Sequence, residues 1–237
     1  MAKKTKPEEK NFEQIEQSLG KAEKFVEKNK NMITYSLLGV LVLIIGVMAY
    51  SKYIREPKKI EAHDEIYAAK NYYSLDSLEK ALYGDGMNPG FLDIIDDYKF
   101  TKSANAAKLY AAQSYMKLAS RDSGDVSADY FNEAISLLKS YSSDDLITSS
   151  QAIGLRGDAN IELGNLEKGA DLYVKAAKEN PDNLTTPYYL LKAGRVFSML
   201  DNHKKALELF KEIKSDYPNS FEAREIKKYI AREEAYL

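Results

Sequence analysis

The chain contains no cysteine and no tryptophan, and only two histidines and six prolines in 237 residues. Without cysteine there is no disulfide framework, no thiolate nucleophile and no Cys-type zinc site. The two histidines, His63 and His203, lie far apart in sequence. Neither has a second ligand or an orienting carboxylate at helical spacing, as metal binding or acid–base work would need. Both are expected to be surface residues, with His203 in a turn between helices. An excess of positive charge is missing too. Residues 52–237 carry 26 Lys plus Arg against 30 Asp plus Glu, so no basic footprint is present to neutralise phosphates, which argues against a nucleic-acid partner.

Catalytic and ligand motifs are equally scarce. Gly84, Asp85 and Gly86, with Asn88, Pro89 and Gly90, form a loop and not a phosphate cradle, because no strand precedes them and no Lys-Ser or Lys-Thr follows. Asp122, Asp125 and Asp129 lack the pattern of a calcium loop. Asp93, Asp96 and Asp97 bring three carboxylates onto one short stretch, interrupted by Ile94 and Ile95, and read as a solvated acidic face. The expectation is a protein that is not an enzyme and carries no cofactor or metal.

What the chain does have is one long apolar run. Residues 32–50 read MITYSLLGVLVLIIGVMAY without a charge, closed by Lys30 and Lys52. As a helix this spans about 28 Å, close to the hydrocarbon thickness of a bilayer. Tyr35, Tyr50 and Tyr53 lie near its ends, where amphipathic rings favour the headgroup level. A cleaved signal peptide is the alternative, since Ala49 and Ser51 make a weak small-x-small site, but the run is long and more than thirty residues precede it. The division expected is a cytoplasmic leader over residues 1–31, a transmembrane helix over 32–51 and an extracytoplasmic domain over 52–237. Lys and Arg near the span are balanced; the additional Lys3, Lys4, Lys6 and Lys10 place the leader inside. Ser36, Gly39, Gly46 and Ala49 share one broad side of the span, where small residues admit a neighbouring transmembrane helix. In the leader, Phe12, Ile15, Leu19, Ala22 and Phe25 follow a helical period. That amphipathic helix suits a membrane surface, a partner, or a solvated extension of the anchor.

Beyond Pro57 the chain compares well with itself. Gly157 and Gly194, Gly169 and Ala206, Tyr173 and Phe210, Ala176 and Ile213, and Pro181 and Pro218 are all offset by 37 residues. A small residue twelve positions after another lets two antiparallel helices approach, and the aromatic four residues later fills the space beside them. Leu163, Gly164 and Asn165, and again Leu200, Asp201 and Asn202, supply turns, and a proline ends each second helix. Each unit, 150–181 and 187–218, is therefore a helical hairpin. Phe197 belongs to the same packing set. Looser echoes occur at Ala112, Tyr115 and Leu118 with Phe131, Ala134 and Leu138, joined by a polar loop over 120–128, and at Ala69, Tyr72, Leu75, Leu78 and Ala81.

These small, aromatic and proline positions resemble the tetratricopeptide repeat, with Asn160 standing where that family has an aromatic and three extra residues between the units. The resemblance implies an all-α fold: a single N-terminal transmembrane helix followed by a solenoid of about three to four hairpins, with a capping helix over 221–236. The inner face of such an array comes from first helices, which here points to Gln113, Met116, Asp158, Ile161, Arg195, Ser198 and Met199 as a protein-binding groove, although packing explains any one of them equally well.

The layout of leader, one span and divergent repeats is similar to that of YfgM-type proteins. Gly90, Phe91, Leu92, Asp93, Ile94, Ile95, Asp96, Asp97 and Tyr98, leading into Ser103, Ala104, Asn105, Ala106 and Ala107, carry that resemblance further. It implies a bacterial inner-membrane subunit with a cytoplasmic N-terminus and a periplasmic domain. Such a subunit is associated with SecY-, SecE- and SecG-type translocon components and a PpiD-type membrane-anchored prolyl isomerase, assisting secreted chains as they emerge. A scaffold of another cell-envelope complex on the same array is the alternative expectation.

Overall fold

A computed structural model describes residues 19–21, 23–122, 124–143 and 145–237. Among these residues there are helices and connections and no strand. Much of the expected leader helix, including Phe12, Ile15 and Ala22, lies outside the described residues; Leu19 and Phe25 are exposed. The chain divides into two compact units, Met1–Pro57 and Lys58–Leu237.

In the first unit, α1 (Lys30–Tyr50) buries no residue. Its apolar side chains, from Leu37 and Leu38 through Ile44 and Ile45 to Met48, are exposed on every side. A helix that is apolar all round has no polar face to give to water, and this one is long and apolar enough to cross a membrane. A π-helical turn, Ser51–Arg55, follows. Pro57, which has no N–H to give to a carbonyl one turn back, comes next.

Helix α2 (Glu56–Ser74) begins in the last two residues of the first unit and runs into the second, which also contains α3 (Leu78–Tyr83), α4 (Phe91–Asp97), α5 (Lys102–Ala119), α6 (Asp125–Ser140), α7 (Leu146–Glu162), α8 (Leu166–Glu179), α9 (Thr185–Met199), α10 (His203–Asp216) and α11 (Ile226–Glu234), with a 3-10 turn at Glu222–Arg224. Consecutive helices pack as pairs: α5 on α6, α7 on α8, α9 on α10, and α11 on α10. The pairs are antiparallel. Asn105 near the start of α5 exchanges hydrogen bonds with Ser142 just after α6, at 2.5 and 3.2 Å, and Ser149 near the start of α7 donates to Glu179 at the end of α8 at 3.3 Å. The polar loop expected over 120–128 is shorter than that, because α6 begins at Asp125. The expected capping helix over 221–236 is split, because the chain first makes the tight turn at Glu222–Arg224 before α11.

Helix ends follow local chemistry. Thr101 caps α5 by accepting from Ala104 N–H, Asp145 caps α7 through Thr148 N–H, and Asn202 caps α10 through Lys205 N–H. Asp145 is held below the usual carboxylate range by the Thr148 N–H, with the Thr148 hydroxyl adding to it. Asp93 likewise reaches back to the Gly90 N–H at 2.9 Å, and Asp96 pairs with Lys99 at 2.8 Å, so two of the three clustered carboxylates are spent locally.

The core falls into two main clusters. One, from Ala62 to Ala152, is rich in alanine around Leu82, Phe91 and Ile94. The other, from Ile153 to Ile230, is built on Tyr173, Tyr189, Leu190, Phe197, Phe210 and Ile213. Helix crossings in the second are set by glycine. A Cβ on Gly157 would come within 2.7 Å of the Tyr173 ring and 3.2 Å of the Gly169 carbonyl. A Cβ on Gly194 would overlap the Phe210 ring. Ala176 and Ala206 are fully buried beside these contacts. Pro181 and Pro218 are exposed just past the ends of α8 and α10.

Candidate protein-binding face

Along α9 the residues Tyr188, Lys192, Arg195 and Met199 recur at helical spacing and share one face. Tyr188, Arg195 and Met199 are exposed, and Lys192 is half-buried. The Lys192 ammonium bonds the Asp158 carboxylate of α7 and lies over the rings of Tyr173 and Tyr188, at 4.6 and 5.4 Å from their centroids. Asp158 also accepts from the Tyr173 hydroxyl. Burial, then the bond to Asp158, raises the Tyr173 phenol; burial, then the Asp158 charge, raises Tyr189. Both phenols stay neutral, and Asp158 of α7, bonded to Tyr173 of α8 and Lys192 of α9, ties the three helices together.

At its C-terminal end the α9 face opens into a pocket of about 370 Å³ lined by Arg195, Ser198, Met199, Asp201, His203, Arg232 and Tyr236. Three of these residues, Ser198, His203 and Arg232, bond Glu233, whose side chain has no exposure to solvent. Glu233 accepts from Ser198 at 2.8 Å, from Arg232 Nε at 2.8 Å, and shares a 2.7 Å bond with His203 Nδ1. Burial alone would raise this carboxyl, but the bonds from His203, Ser198 and Arg232 outweigh it and hold it below its ordinary value. The His203 ring stacks on Tyr236 with centroids 4.3 Å apart. His203 is thus not a surface residue in a turn; it is the first residue of α10, and α11 brings it a partner thirty residues away that no local spacing reveals.

The other residues expected in the groove divide. Gln113 is half-buried and accepts from Tyr73 at 3.1 Å, and Met116 packs between two core clusters. Ile161 fills the notch at Gly169, where any Cβ would overlap it. Asp158, Arg195, Ser198 and Met199 line the exposed α9 side, and Gln113, Met116 and Ile161 are largely spent on packing. Gly154, which the sequence comparison passed over, gives room for Tyr189 in the same way that Gly194 does for Phe210. In the first unit, Ser36, Gly39, Gly46 and Ala49 are exposed, with no heavy atom near a Cβ placed on either glycine.

No group of three or more His, Asp or Glu side chains suited to a metal ion occurs among the described residues. The features define a class: a chain with one membrane-length apolar helix and an array of packed helix pairs bearing an exposed polar-aromatic face. No protein-family model matches the chain, and no curated protein matches it.

Proposed function

We propose that this protein is a membrane-anchored, tetratricopeptide-like adaptor that binds other proteins and does not catalyse a reaction. Its anchor is α1, its helix pairs α5–α6, α7–α8 and α9–α10 are the repeats, and α11 caps them. The observation that carries the reading is the exposed Tyr188, Lys192, Arg195 and Met199 face opening into the Arg232 and Tyr236 pocket. A rigid helix face mixing aromatic, cationic and thioether groups suits a partner segment laid along it. Tyr, Arg and Met are also the residue types enriched at interface centres.

By its resemblance to YfgM-type proteins, the partner complex is the SecY-type export channel with a PpiD-type prolyl isomerase, and the array faces the periplasm of an inner membrane. The test is gentle detergent extraction of the tagged protein from its native membrane, with mass spectrometry of what stays bound, for wild type and for Arg195→Glu with Met199→Glu. Channel subunits and the isomerase in the wild type, depleted at least tenfold in the double variant, are the expected result. A different envelope complex, depleted in the same way, keeps the adaptor and removes the translocon. Equal recovery with both forms removes the α9 face.

A further inference from the structure

Of the two cations on the α9 face, Lys192 bonds Asp158, whereas Arg195 is exposed and has no counter-ion: among the described residues it makes no hydrogen bond or ion pair. The carboxylates of neighbouring α11 are taken up by other groups. Glu233 accepts from Arg232 Nε at 2.8 Å and Glu234 pairs with Lys211 at 3.0 Å. Just before that helix, Glu225 bonds Lys228. Arg195 instead meets a second cation. The bond to Glu225 raises the Lys228 ammonium, and the Arg195 charge works against that rise. Arg232, which shares the pocket, turns Nε toward Glu233 and one terminal nitrogen toward Ser198 at 3.0 Å, so its other terminal nitrogen remains a free donor. Cations gathered without an acid between them favour an incoming anion.

On both sides of Arg195 the face is apolar. Tyr188 is 46% exposed, Met199 70% and Tyr236 65%, and the last two line the pocket together with Arg195. Tyr188 stands two helical turns before Arg195 and Met199 one turn after it, so they lie about 10 Å and about 6 Å from it along the axis. A peptide extended along α9 advances about 3.3 Å per residue. An acid seated on Arg195 therefore has its apolar partners about three residues away on one side and about two on the other.

We infer that Arg195 receives one carboxylate side chain from an acidic and apolar segment of a partner protein, whose flanking apolar residues seat against Tyr188 on one side and against Met199 and Tyr236 on the other. The inference rests on the α9 face being the binding face, as proposed above. A carboxylate is favoured over a phosphate or a nucleic acid because the site also holds acids of its own. Asp201 lies 3.9 Å from His203 Nε2 with its side chain 93% exposed, and Glu233 is buried beneath Ser198 and Arg232. An anion of higher charge is repelled by both. Asp201 belongs to the turn beyond α9, so it also keeps the incoming acid at the Arg195 end. A guanidinium holds a carboxylate through two parallel bonds, a geometry that an amide in its place does not reproduce.

Because the chain has no cysteine, disulfide tethering tests this in the full-length protein in detergent. Leu237→Cys places one thiol beside Tyr236 without altering the pocket. The probes are the peptides Leu-Ser-Ser-Glu-Ser-Leu-Gly-Cys and Cys-Gly-Leu-Ser-Glu-Ser-Ser-Leu, one for each chain direction, and their counterparts with Gln for Glu. Retention is read by intact mass at increasing concentrations of reductant. In one direction the Glu peptide should withstand about fivefold more reductant than its Gln counterpart. That difference should vanish with Arg195→Gln and shrink in high salt. Equal retention of the Glu and Gln peptides, both weakened by Met199→Ser, overturns the acidic partner and leaves the α9 face standing as an apolar one. Equal retention that neither variant changes overturns the inference, and the pull-down with Arg195→Glu and Met199→Glu then judges the face independently. A preference for Glu that survives Arg195→Gln overturns the assignment to Arg195.

Discussion

The two core clusters of the second unit close their helix contacts by different means. Between α7 and α10, crossings occur where a glycine or alanine of one helix faces a ring of the other: Gly157 with Tyr173, Gly154 with Tyr189, Gly194 with Phe210. Between α2 and α6 the buried helix faces are alanine-rich, and phenol hydroxyls tie the periphery: Tyr98 to Glu65 at 2.8 Å, Tyr73 to Gln113 at 3.1 Å, Tyr72 to Asp85 at 2.6 Å and Tyr83 to Tyr115 at 3.3 Å. Burial, then the bond to Glu65, raises the Tyr98 phenol, and burial, then Tyr83, raises Tyr115, so both stay protonated at neutral pH. A ring seated on glycine is shape-specific and tolerates little change. A hydroxyl tied to a half-exposed acceptor adds less, because water replaces it readily.

The sharpest way to break this contrast is Phe210→Ala. It empties a fully buried ring site and should cost about 3–5 kcal/mol of stability, read from the urea midpoint. Gly194→Leu attacks the same contact from the other side and should cost about 1–3 kcal/mol by overpacking. Combined, the two should cost less than their sum, since the leucine occupies space the ring has left. Additive losses would mean that Gly194 and Phe210 do not share one crossing.

Glu233 gives an intermediate effect with a defined pH dependence. Its folded carboxyl is held below its ordinary value, so it contributes stability that is complete above the unfolded carboxyl range near 4.3 and is lost as pH falls through the folded value. Glu233→Gln should therefore cost about 2 kcal/mol at pH 7. Wild type and variant should converge as the pH drops below about 4. An equal gap at pH 7 and in acid would show that the carboxylate charge does not hold α11.

The smallest effect is expected from Tyr98→Phe, about 1 kcal/mol for one hydroxyl with its burial kept. Hydrogen exchange should localise that loss to α2 and α4 and leave α9 and α10 unchanged. Loss spread evenly over both clusters would erase the distinction between them.

The apolar span and the hairpin crossings were legible in the chain because both are local. One is an unbroken run from residue 32 to 50, and the others are small and aromatic residues at fixed separations that recur at 37 residues. The earlier helix pairs were harder to read. Their alanines, such as Ala104, Ala107, Ala111 and Ala112, are buried, but alanine suits any helical surface and marks no single crossing. Part of the exposed α9 side was legible as well: Asp158, Arg195, Ser198 and Met199 follow from their places on first helices.

What only the tertiary structure decided is which of those side chains remain available, and which distant groups join them. Ile161 has the spacing of a groove residue, yet the backbone approach at Gly169 consumes it. His203 has no neighbour at helical spacing, yet α11 folds back to place Glu233 against it and against Ser198. A periodic pattern records which residues face a neighbouring helix, because period and helix geometry are the same thing. It does not record which helix that neighbour is or how closely the backbones meet, and those two facts set the burial of Glu233 and the opening of the pocket whose side chains bond it.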